Sequence, residues 1–312
     1  MTTTESVRSA VARAAIEGLT STPRRLPAAL FYDAAGSALF EEITALPEYY
    51  QTRTERGILE RIAPELREAL GGPLDLVELG AGSSAKTEVL LGGLDVRTYV
   101  PIDVSPAALE DAAVRLRGRF PDLDVAPVVG NYHEPVDLPP PADGHARAAF
   151  FPGSTIGNLQ PAEAAALLRR VARLLGSGGA LVLGVDLVKD PRVLEAAYDD
   201  AQGVTAAFNL NALRHINREA PADFDVDAWR HHAFFDPKTS RIEMHLVATR
   251  AQRVEVAGTR LEFEAFDSIW TESSYKYTRR SIGAIARHGG FRVESFWTDP
   301  KQYFGVLLMR AR

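Results

Sequence analysis

The spacing of apolar and polar residues changes along the chain, and it is least regular in the N-terminal part. Apolar residues near one face predict a helix over residues 5–19, and a second amphipathic stripe predicts a helix over residues 53–70. The stretch at 30–55 is rich in aromatic and small residues and has no clean helical or strand period. We therefore expect it to be an irregular segment that folds over a site.

Short apolar runs alternate with amphipathic stretches in the centre of the chain. The runs predict strands at 74–79, 98–102, 125–129, 148–151 and 180–185. Ser105 and Pro106 favour the N-cap and first residue of one helix, and another helix is predicted from Pro161. Since strand and helix alternate over residues 74–188, we expect an α/β fold with a parallel, doubly wound sheet. Such a sheet binds ligands at the carboxyl ends of its strands.

The pattern changes after residue 188. Residues 191–218 are predicted to be helical, and alternation then predicts antiparallel strands at 229–235, 241–249, 253–256 and 259–276. A helix at 278–288 and two strands at 291–297 and 303–309 follow. We expect one domain of residues 53–188 and 278–312, and a second, inserted α+β domain of residues 1–52 and 189–277.

Composition narrows the class of protein. The chain has 312 residues, of which 46% are hydrophobic and 24% charged, which is ordinary for a globular protein. Its net charge of −6 argues against non-specific binding of nucleic acid, and its lack of cysteine excludes disulfides and thiolate metal sites. It has no apolar run of membrane-spanning length, and its first residues lack a secretory signal. We expect a monomeric, cytoplasmic protein with a small-molecule substrate and no nucleic-acid or membrane partner.

A glycine-rich turn follows the first central strand. Residues 74–86 read Leu-Asp-Leu-Val-Glu-Leu-Gly-Ala-Gly-Ser-Ser-Ala-Lys. The G-x-G-x-x-A pattern suits a dinucleotide, S-adenosylmethionine (SAM) or a turn without a ligand. Asp103, at the end of the next strand, is placed to bind ribose hydroxyls. Glu78 favours a cationic sulfonium cofactor over a pyrophosphate. This E-x-G-x-G opening resembles class I SAM-dependent methyltransferases, which have a Rossmann-like sheet.

Longer motifs resemble the bacterial L-histidine Nα-methyltransferase family of ergothioneine biosynthesis. The resemblance extends from about Leu26 to the C-terminus and is more specific than the glycine turn. Its motifs are Phe31-Tyr32-Asp33, Gly36-Ser37, Leu39-Phe40-Glu41, Ile43-Thr44, Leu46-Pro47-Glu48-Tyr49-Tyr50, Thr52-Arg53, Phe151-Pro152-Gly153-Ser154-Thr155-Ile156-Gly157-Asn158, Ala197-Tyr198-Asp199-Asp200, Gly203-Val204-Thr205 and Thr271-Glu272-Ser273-Ser274-Tyr275-Lys276.

The resemblance implies a methyltransferase (cofactor) domain, a substrate-binding domain and the product hercynine, with SAM as donor and S-adenosylhomocysteine (SAH) as by-product. The implied cofactor positions are Glu78, Gly80, Ala81, Gly82, Ser83, Lys86, Asp103, Asn131 and Tyr132. The implied substrate positions are Tyr32, Phe40, Tyr49, Asn158, Tyr198, Met244, Glu272 and Ser274. Asn131 departs from the family, which usually has an aspartate that binds adenine. An asparagine oxygen still accepts a hydrogen bond but lacks the charge that strengthens it.

Methyl transfer from a sulfonium to an amine needs alignment more than a strong base. We expect Tyr32, Tyr49 and Asn158 to be the catalytic positions, with both tyrosines as hydrogen-bond partners of the amine or its water. Asn158 and Tyr198 suit the substrate carboxylate because both are neutral donors. Glu272 suits the imidazole, whose tautomer a carboxylate can fix, and Ser274 supplies a second contact.

Two alternative functions remain at this point. A relative with the same scaffold could methylate tyrosine or tryptophan, and a catalytically silent protein could bind SAM or a betaine. His231, His232 and His245 invite a metal interpretation, but neighbouring strand residues point to opposite faces. Asp199 and Asp200 suit a helix face better than a metal site, so we expect no metal.

Overall fold

The computed structural model describes residues 3–81, 86–134 and 136–312, with the backbone only for residues 3–9. Short 3-10 turns lie at Ala28–Phe31, Thr155–Asn158 and Val226–Ala228. The helices and strands in chain order are α1 (Thr3–Leu19), α2 (Ala34–Ala45), α3 (Gln51–Leu70), β1 (Leu74–Leu79), α4 (Thr87–Gly93), β2 (Val96–Asp103), α5 (Pro106–Arg119), β3 (Asp124–Val125), β4 (Val128–Val129), β5 (Ala146–Phe151), α6 (Pro161–Leu175), β6 (Ala180–Asp186), α7 (Pro191–Ala196), α8 (Val204–Glu219), β7 (Trp229–Asp236), β8 (Arg241–Ala248), β9 (Gln252–Val256), β10 (Thr259–Phe263), β11 (Ser268–Tyr275), α9 (Arg279–His288), β12 (Phe291–Thr298) and β13 (Phe304–Ala311).

The chain divides into two compact units. Unit 1 comprises Met1–Tyr50 and Lys189–Ser274, and unit 2 comprises Gln51–Val188 and Tyr275–Arg312. In the described part of the chain, no helix is at once long and apolar enough to cross a membrane.

Unit 2 is built on one mixed sheet of order β12-β13-β6-β5-β1-β2-β3, with β4 also paired to β2. Strands β6, β5, β1 and β2 run parallel, and β13 is antiparallel to both β6 and β12. The predicted doubly wound sheet and final hairpin are therefore confirmed. The strand predicted at 125–129 is instead two short strands, because Pro127 has no N–H for the ladder with β2.

Helices cover both faces of this sheet. Leu74 and Leu76 of β1 pack in a core with α3, α4 and α5, whereas Val77 and Leu79 pack in a second core with α6 and α9. The alternation of side chains along a strand separates these two sets. The helix predicted at 53–70 is confirmed as α3, and Ser105 caps α5 by accepting a hydrogen bond from the Ala108 N–H.

Unit 1 contains an antiparallel sheet of order β11-β8-β7 and a β9–β10 hairpin. The sequence missed α2, which lies in the stretch expected to be irregular. This helix starts where the Asp33 carboxylate accepts a bond of 2.7 Å from the Gly36 N–H.

Two other predicted elements of unit 1 are each divided. The helix predicted at 191–218 is two helices: α7 ends at Ala196, and α8 begins after Gly203, its N-cap, which has a φ of 73°. The strand predicted at 259–276 is split into β10 and β11 by a turn in which Phe266 has a φ of 72°. A residue with positive φ does not fit a regular helix or strand, so Gly203 and Phe266 both lie in the connecting segments.

A buried ion pair joins the end of β6 to the segment after β11 within unit 2. The Lys276 ammonium lies 2.9 Å from the Asp186 carboxylate, and neither side chain has exposed surface. Around it, the Tyr277 N–H donates to the Asp186 carbonyl at 2.8 Å and the Val188 N–H donates to the Tyr277 carbonyl at 2.9 Å. Two chain segments that are distant in sequence are held side by side.

We expect Lys276→Met to lower the free energy of unfolding by about 3–5 kcal/mol, because it leaves the Asp186 carboxylate buried without its cation. Urea denaturation followed by circular dichroism measures this change. The double variant Asp186→Asn/Lys276→Met should regain most of the loss, and Lys301→Met, at an exposed lysine, serves as the control. A single variant as stable as the wild type would contradict the prediction.

Candidate functional site

The turn after β1 begins with two backbone hydrogen bonds to β2. The N–H groups of Gly80 and Ala81 donate to the Ile102 carbonyl at 2.9 and 3.2 Å. Gly80 has a φ of 72°, and a Cβ there would lie 3.2 Å from the Tyr132 ring. The positive φ favours glycine at this position, and the absence of a side chain leaves room for the Tyr132 ring. Gly82 and Ser83, which the sequence assigned to the same turn, lie outside the described residues.

Asp103 and the pair Asn131-Tyr132 lie at the same end of the sheet. The Asp103 main chain pairs with Val129, and its carbonyl accepts from the Gly130 N–H at 2.9 Å, so the next two residues follow directly. Burial and the Asp103 charge raise the pKa of Tyr132 to about 12. The Tyr132 phenol therefore stays protonated at neutral pH. The structure brings these positions and Gly80 together.

Glu78 is buried beneath the turn. Its carboxylate accepts hydrogen bonds from the Thr87 hydroxyl and the Tyr99 phenol. Burial raises its pKa to about 7, although these two bonds and the nearby Lys86 charge act in the opposite direction. The carboxyl group is thus close to half ionised at neutral pH, and a neighbouring cation would favour the ionised form.

Lys86, just before α4, is held by a residue that the sequence did not single out. Its ammonium donates to the Glu55 carboxylate of α3 at 2.6 Å, and that carboxylate is wholly buried. Glu55 lies on the same helical stripe as Ile58, Leu59 and Ile62, all of them buried. A charged residue on an apolar stripe was the available signal, because a buried charge needs a partner.

The loop after β5 is fixed at several points. The Gly153 N–H donates to both oxygens of Glu55 at 2.9 and 3.1 Å. The Ser154 hydroxyl accepts from the Asp186 N–H at 2.8 Å, and the Ser154 carbonyl accepts from the Gly157 N–H at 2.7 Å. These bonds form the turn that carries Asn158, which is exposed.

Three of the predicted substrate positions form an aromatic cluster in unit 1. Tyr32 lies edge-on to Phe40 with ring centroids 5.8 Å apart, and Phe40 lies edge-on to Tyr49 at 6.3 Å. Phe208 of α8 joins them, with its centroid 5.5 Å from Tyr32 and 6.0 Å from Phe40. Sequence reasoning missed Phe208, which helical periodicity alone assigns to packing. Tyr32 is 47% exposed, so part of this cluster reaches solvent.

Tyr198 and Ser274 are in direct contact in unit 1. Their hydroxyl oxygens lie 2.7 Å apart. The Tyr198 carbonyl accepts from Nε2 of His231 at 2.8 Å, and Nδ1 of this ring therefore accepts from the Asn209 amide at 2.8 Å. Burial lowers the pKa of His231, in keeping with a neutral ring. His231, considered in the sequence only as a metal candidate, holds the turn that carries Tyr198.

Met244 and Glu272 belong to the central and edge strands of the unit 1 sheet. Met244 is buried, and its carbonyl accepts from the Thr271 hydroxyl at 3.0 Å. Glu272 is half-buried, and its carbonyl accepts from the Trp270 indole at 2.8 Å. Across residues 3–81, 86–134 and 136–312, no three His, Asp or Glu side chains gather as a metal site would require.

Unit 2 contains side chains whose chemistry fits the groups of SAM. Asp103 supplies a carboxylate, Tyr132 an aromatic ring, and Lys86 an ammonium group on a side chain that is 19% exposed. Unit 1 offers aromatic rings, paired hydroxyls and a carboxylate. None of these described groups is an activated nucleophile.

Comparisons with known proteins identify the family of the chain. A family model described as histidine-specific methyltransferase, SAM-dependent, matches residues 11–311. The chain is 43% identical over 310 residues to a histidine N-alpha-methyltransferase of Mycolicibacterium smegmatis, with 97% of this chain and 96% of that protein covered. Identity to the protein of the same name from Mycobacterium tuberculosis is 42% over 305 residues, covering 96% and 94%.

A solved structure supports the fold. The crystal structure of a SAM-dependent methyltransferase from Clostridium acetobutylicum matches with a TM-score of 0.51 at 11% identity, covering 87% of this chain and 97% of that one. The class I methyltransferase fold predicted from the glycine turn is confirmed.

Glu78 should make stability depend on pH. Its pKa is about 7 when folded, against an ordinary value of 4.5, so the folded protein binds the proton more tightly. Stability from this group is present below pH 4.5 and is lost as the pH rises to 7, by about 3 kcal/mol in total. The unfolding free energy of the wild type minus that of Glu78→Gln should therefore fall as the pH is raised from 4.5 to 7. A constant difference would refute the assignment.

Proposed function

Because this chain belongs to the family of histidine-specific, SAM-dependent methyltransferases, it is an enzyme that transfers methyl groups from SAM to histidine, and we propose that it trimethylates the α-amino nitrogen. The product would be hercynine, and the reaction would open ergothioneine biosynthesis. Unit 2 would be the cofactor domain and unit 1 the substrate-binding domain. Cytoplasmic location and the monomeric state remain predictions from the sequence.

The cofactor positions proposed for unit 2 are Glu78, Gly80, Ala81, Gly82, Ser83, Lys86, Asp103, Asn131 and Tyr132. When bound, SAM supplies a methyl group that its positive sulfur has already activated. Gly80 leaves room for the Tyr132 ring, which we propose contacts the cofactor. The Asp103 carboxylate would accept from the ribose hydroxyls. The Asn131 side-chain oxygen already accepts from the His133 N–H at 3.0 Å, and a second lone pair remains for an adenine amino group.

The aromatic cluster of Tyr32, Phe40, Tyr49 and Phe208 is the observation that carries the proposal of three methylations. Each methylation replaces an N–H donor with a methyl group, but the ammonium keeps its charge. Fewer N–H groups therefore remain to donate to hydrogen-bond acceptors as the reaction proceeds. The face of an aromatic ring, in contrast, attracts the ammonium cation at every level of methylation. A cluster of aromatic rings with exposed surface supports binding of the amine, its intermediates and the quaternary product.

Other residues would orient the substrate. We assign the substrate carboxylate to Asn158 and Tyr198, and the hydroxyl contact between Tyr198 and Ser274 supports a fixed tyrosine side chain. Glu272 and Ser274 would bind the imidazole, and Met244 would pack against it. Alignment of the amine lone pair with the methyl group can supply about 7–11 kcal/mol of the barrier reduction.

The amine must be neutral before each transfer. Its reference pKa is near 8, so a useful fraction is already deprotonated at neutral pH and water can accept the proton. Tyr32 and Tyr49 would accept or relay hydrogen bonds at this nitrogen rather than act as strong bases. Together with Asn158 they form the proposed catalytic set.

Mass spectrometry of the amino acid tests this function. The purified protein is incubated with SAM carrying a labelled methyl group and, separately, with L-histidine, L-tyrosine and L-tryptophan. We expect histidine to gain three labelled methyl groups, all on the α-nitrogen by fragmentation. Methylation of tyrosine or tryptophan alone would assign another aromatic substrate, and no methylation of any of them would indicate a binding protein.

We expect Glu272→Ala to lower kcat/KM for histidine about 10- to 100-fold, since a hydrogen bond from the imidazole to a carboxylate is lost. Steady-state kinetics with histidine measures the change. Glu262→Ala, at an exposed carboxylate of β10, is the matched control and should leave kcat/KM unaltered. An unchanged value in Glu272→Ala would remove the basis for assigning the imidazole to this residue.

A further inference from the structure

Glu55 links two loops of unit 2 that leave the carboxyl edge of the sheet. One of its oxygens accepts from the Lys86 ammonium at 2.6 Å, at the end of the loop that follows β1. Both oxygens accept from the Gly153 N–H in the loop that follows β5. Ligands of parallel α/β sheets bind at this edge, so a single buried carboxylate fixes two loops of the ligand side.

The residues around the Glu55 carboxylate leave it little space. A Cβ at Gly184 of β6 would lie 1.9 Å from Oε1 of Glu55, and a Cβ at Gly153 would lie 3.2 Å from Nζ of Lys86. The absence of a side chain at both glycines leaves room for the Glu55–Lys86 ion pair. Because the Glu55 side chain has no exposed surface whereas that of Lys86 is 19% exposed, only the lysine can reach a ligand.

The charges of Glu55 and Lys86 bear on the relative binding of SAM and SAH. SAM carries a sulfonium, an ammonium and a carboxylate, so its net charge is one unit more positive than that of SAH, in which the sulfur is neutral. A lysine without a counterion would repel the sulfonium while attracting the carboxylate. With Glu55 beside it, the pair is neutral overall.

We infer that Glu55 is a positioning residue for the methyl donor, which holds Lys86 and cancels its charge so that the site does not disfavour the sulfonium of SAM relative to SAH. The inference rests on SAM as the donor and is independent of which amine is methylated. Glu55 acts through Lys86 and touches no substrate itself.

Binding of SAM and SAH, measured by calorimetry at pH 8 without any amino acid, tests the inference. Glu55→Gln preserves shape but removes the carboxylate that is in direct contact with Lys86, while Glu78 is unchanged in every variant. We expect the ratio of the Kd for SAM to the Kd for SAH to rise about tenfold. Lys86→Met should lower the ratio, and Glu55→Gln/Lys86→Met should return it to within about threefold of the wild type. The control is Glu60→Gln, an exposed carboxylate of α3 paired with Arg56, which should not change the ratio.

A purely structural role for Glu55 would weaken SAM and SAH equally, so an unchanged ratio in Glu55→Gln would overturn the inference. An equal rise in Glu60→Gln would do the same, since it would point to net charge alone. If Glu55→Gln does not fold, the comparison of Lys86→Met with the double variant decides, because only the carboxylate charge differs. Failure of the wild type to bind either compound would instead refute the donor assignment.

Discussion

The parallel pairing of β1 with β2 on one side and β5 on the other is the constraint on which the chemistry depends. Parallel strands end at the same edge, so the loops after Leu79, Asp103 and Phe151 leave the sheet together. The register that pairs Leu79 with Ile102 also gives the Gly80 N–H its acceptor. Residues far apart in sequence thereby share one end of unit 2.

The sequence predicted unit 2 better than unit 1, for a physical reason. A strand buried on both faces, such as β6, is an almost continuous apolar run, and helices that cover a sheet have a clear apolar stripe. In α2, aromatic and small residues obscure the helical period, and the start of the helix depends on the Asp33 cap. The break at Pro127 depends on a single residue that interrupts an otherwise regular pattern.

Candidate site residues were proposed where they lie close together in sequence motifs. The contacts between them were not predictable, because packing of distant segments creates them. Phe208 looks like an ordinary core residue in the sequence and His231 like a metal candidate, yet Phe208 packs against Tyr32 and His231 donates to the Tyr198 carbonyl. Of these supporting residues, only Glu55 gave a signal in the sequence, because it is a carboxylate on an apolar helical stripe. Motifs supply the residues proposed to contact ligands, whereas the residues that support them are identified only from the fold.

Gly184 and Glu55 restrict how this protein can diverge. A side chain at 184 would collide with the Glu55 carboxylate and would also lie close to the Phe304 ring, so substitution of the glycine requires the carboxylate to move or position 55 to shorten. Loss of the carboxylate would in turn leave Lys86 and the Gly153 amide to find new acceptors. A change at 184 therefore disturbs both loops through Glu55, whereas position 55 can shorten while Gly184 stays.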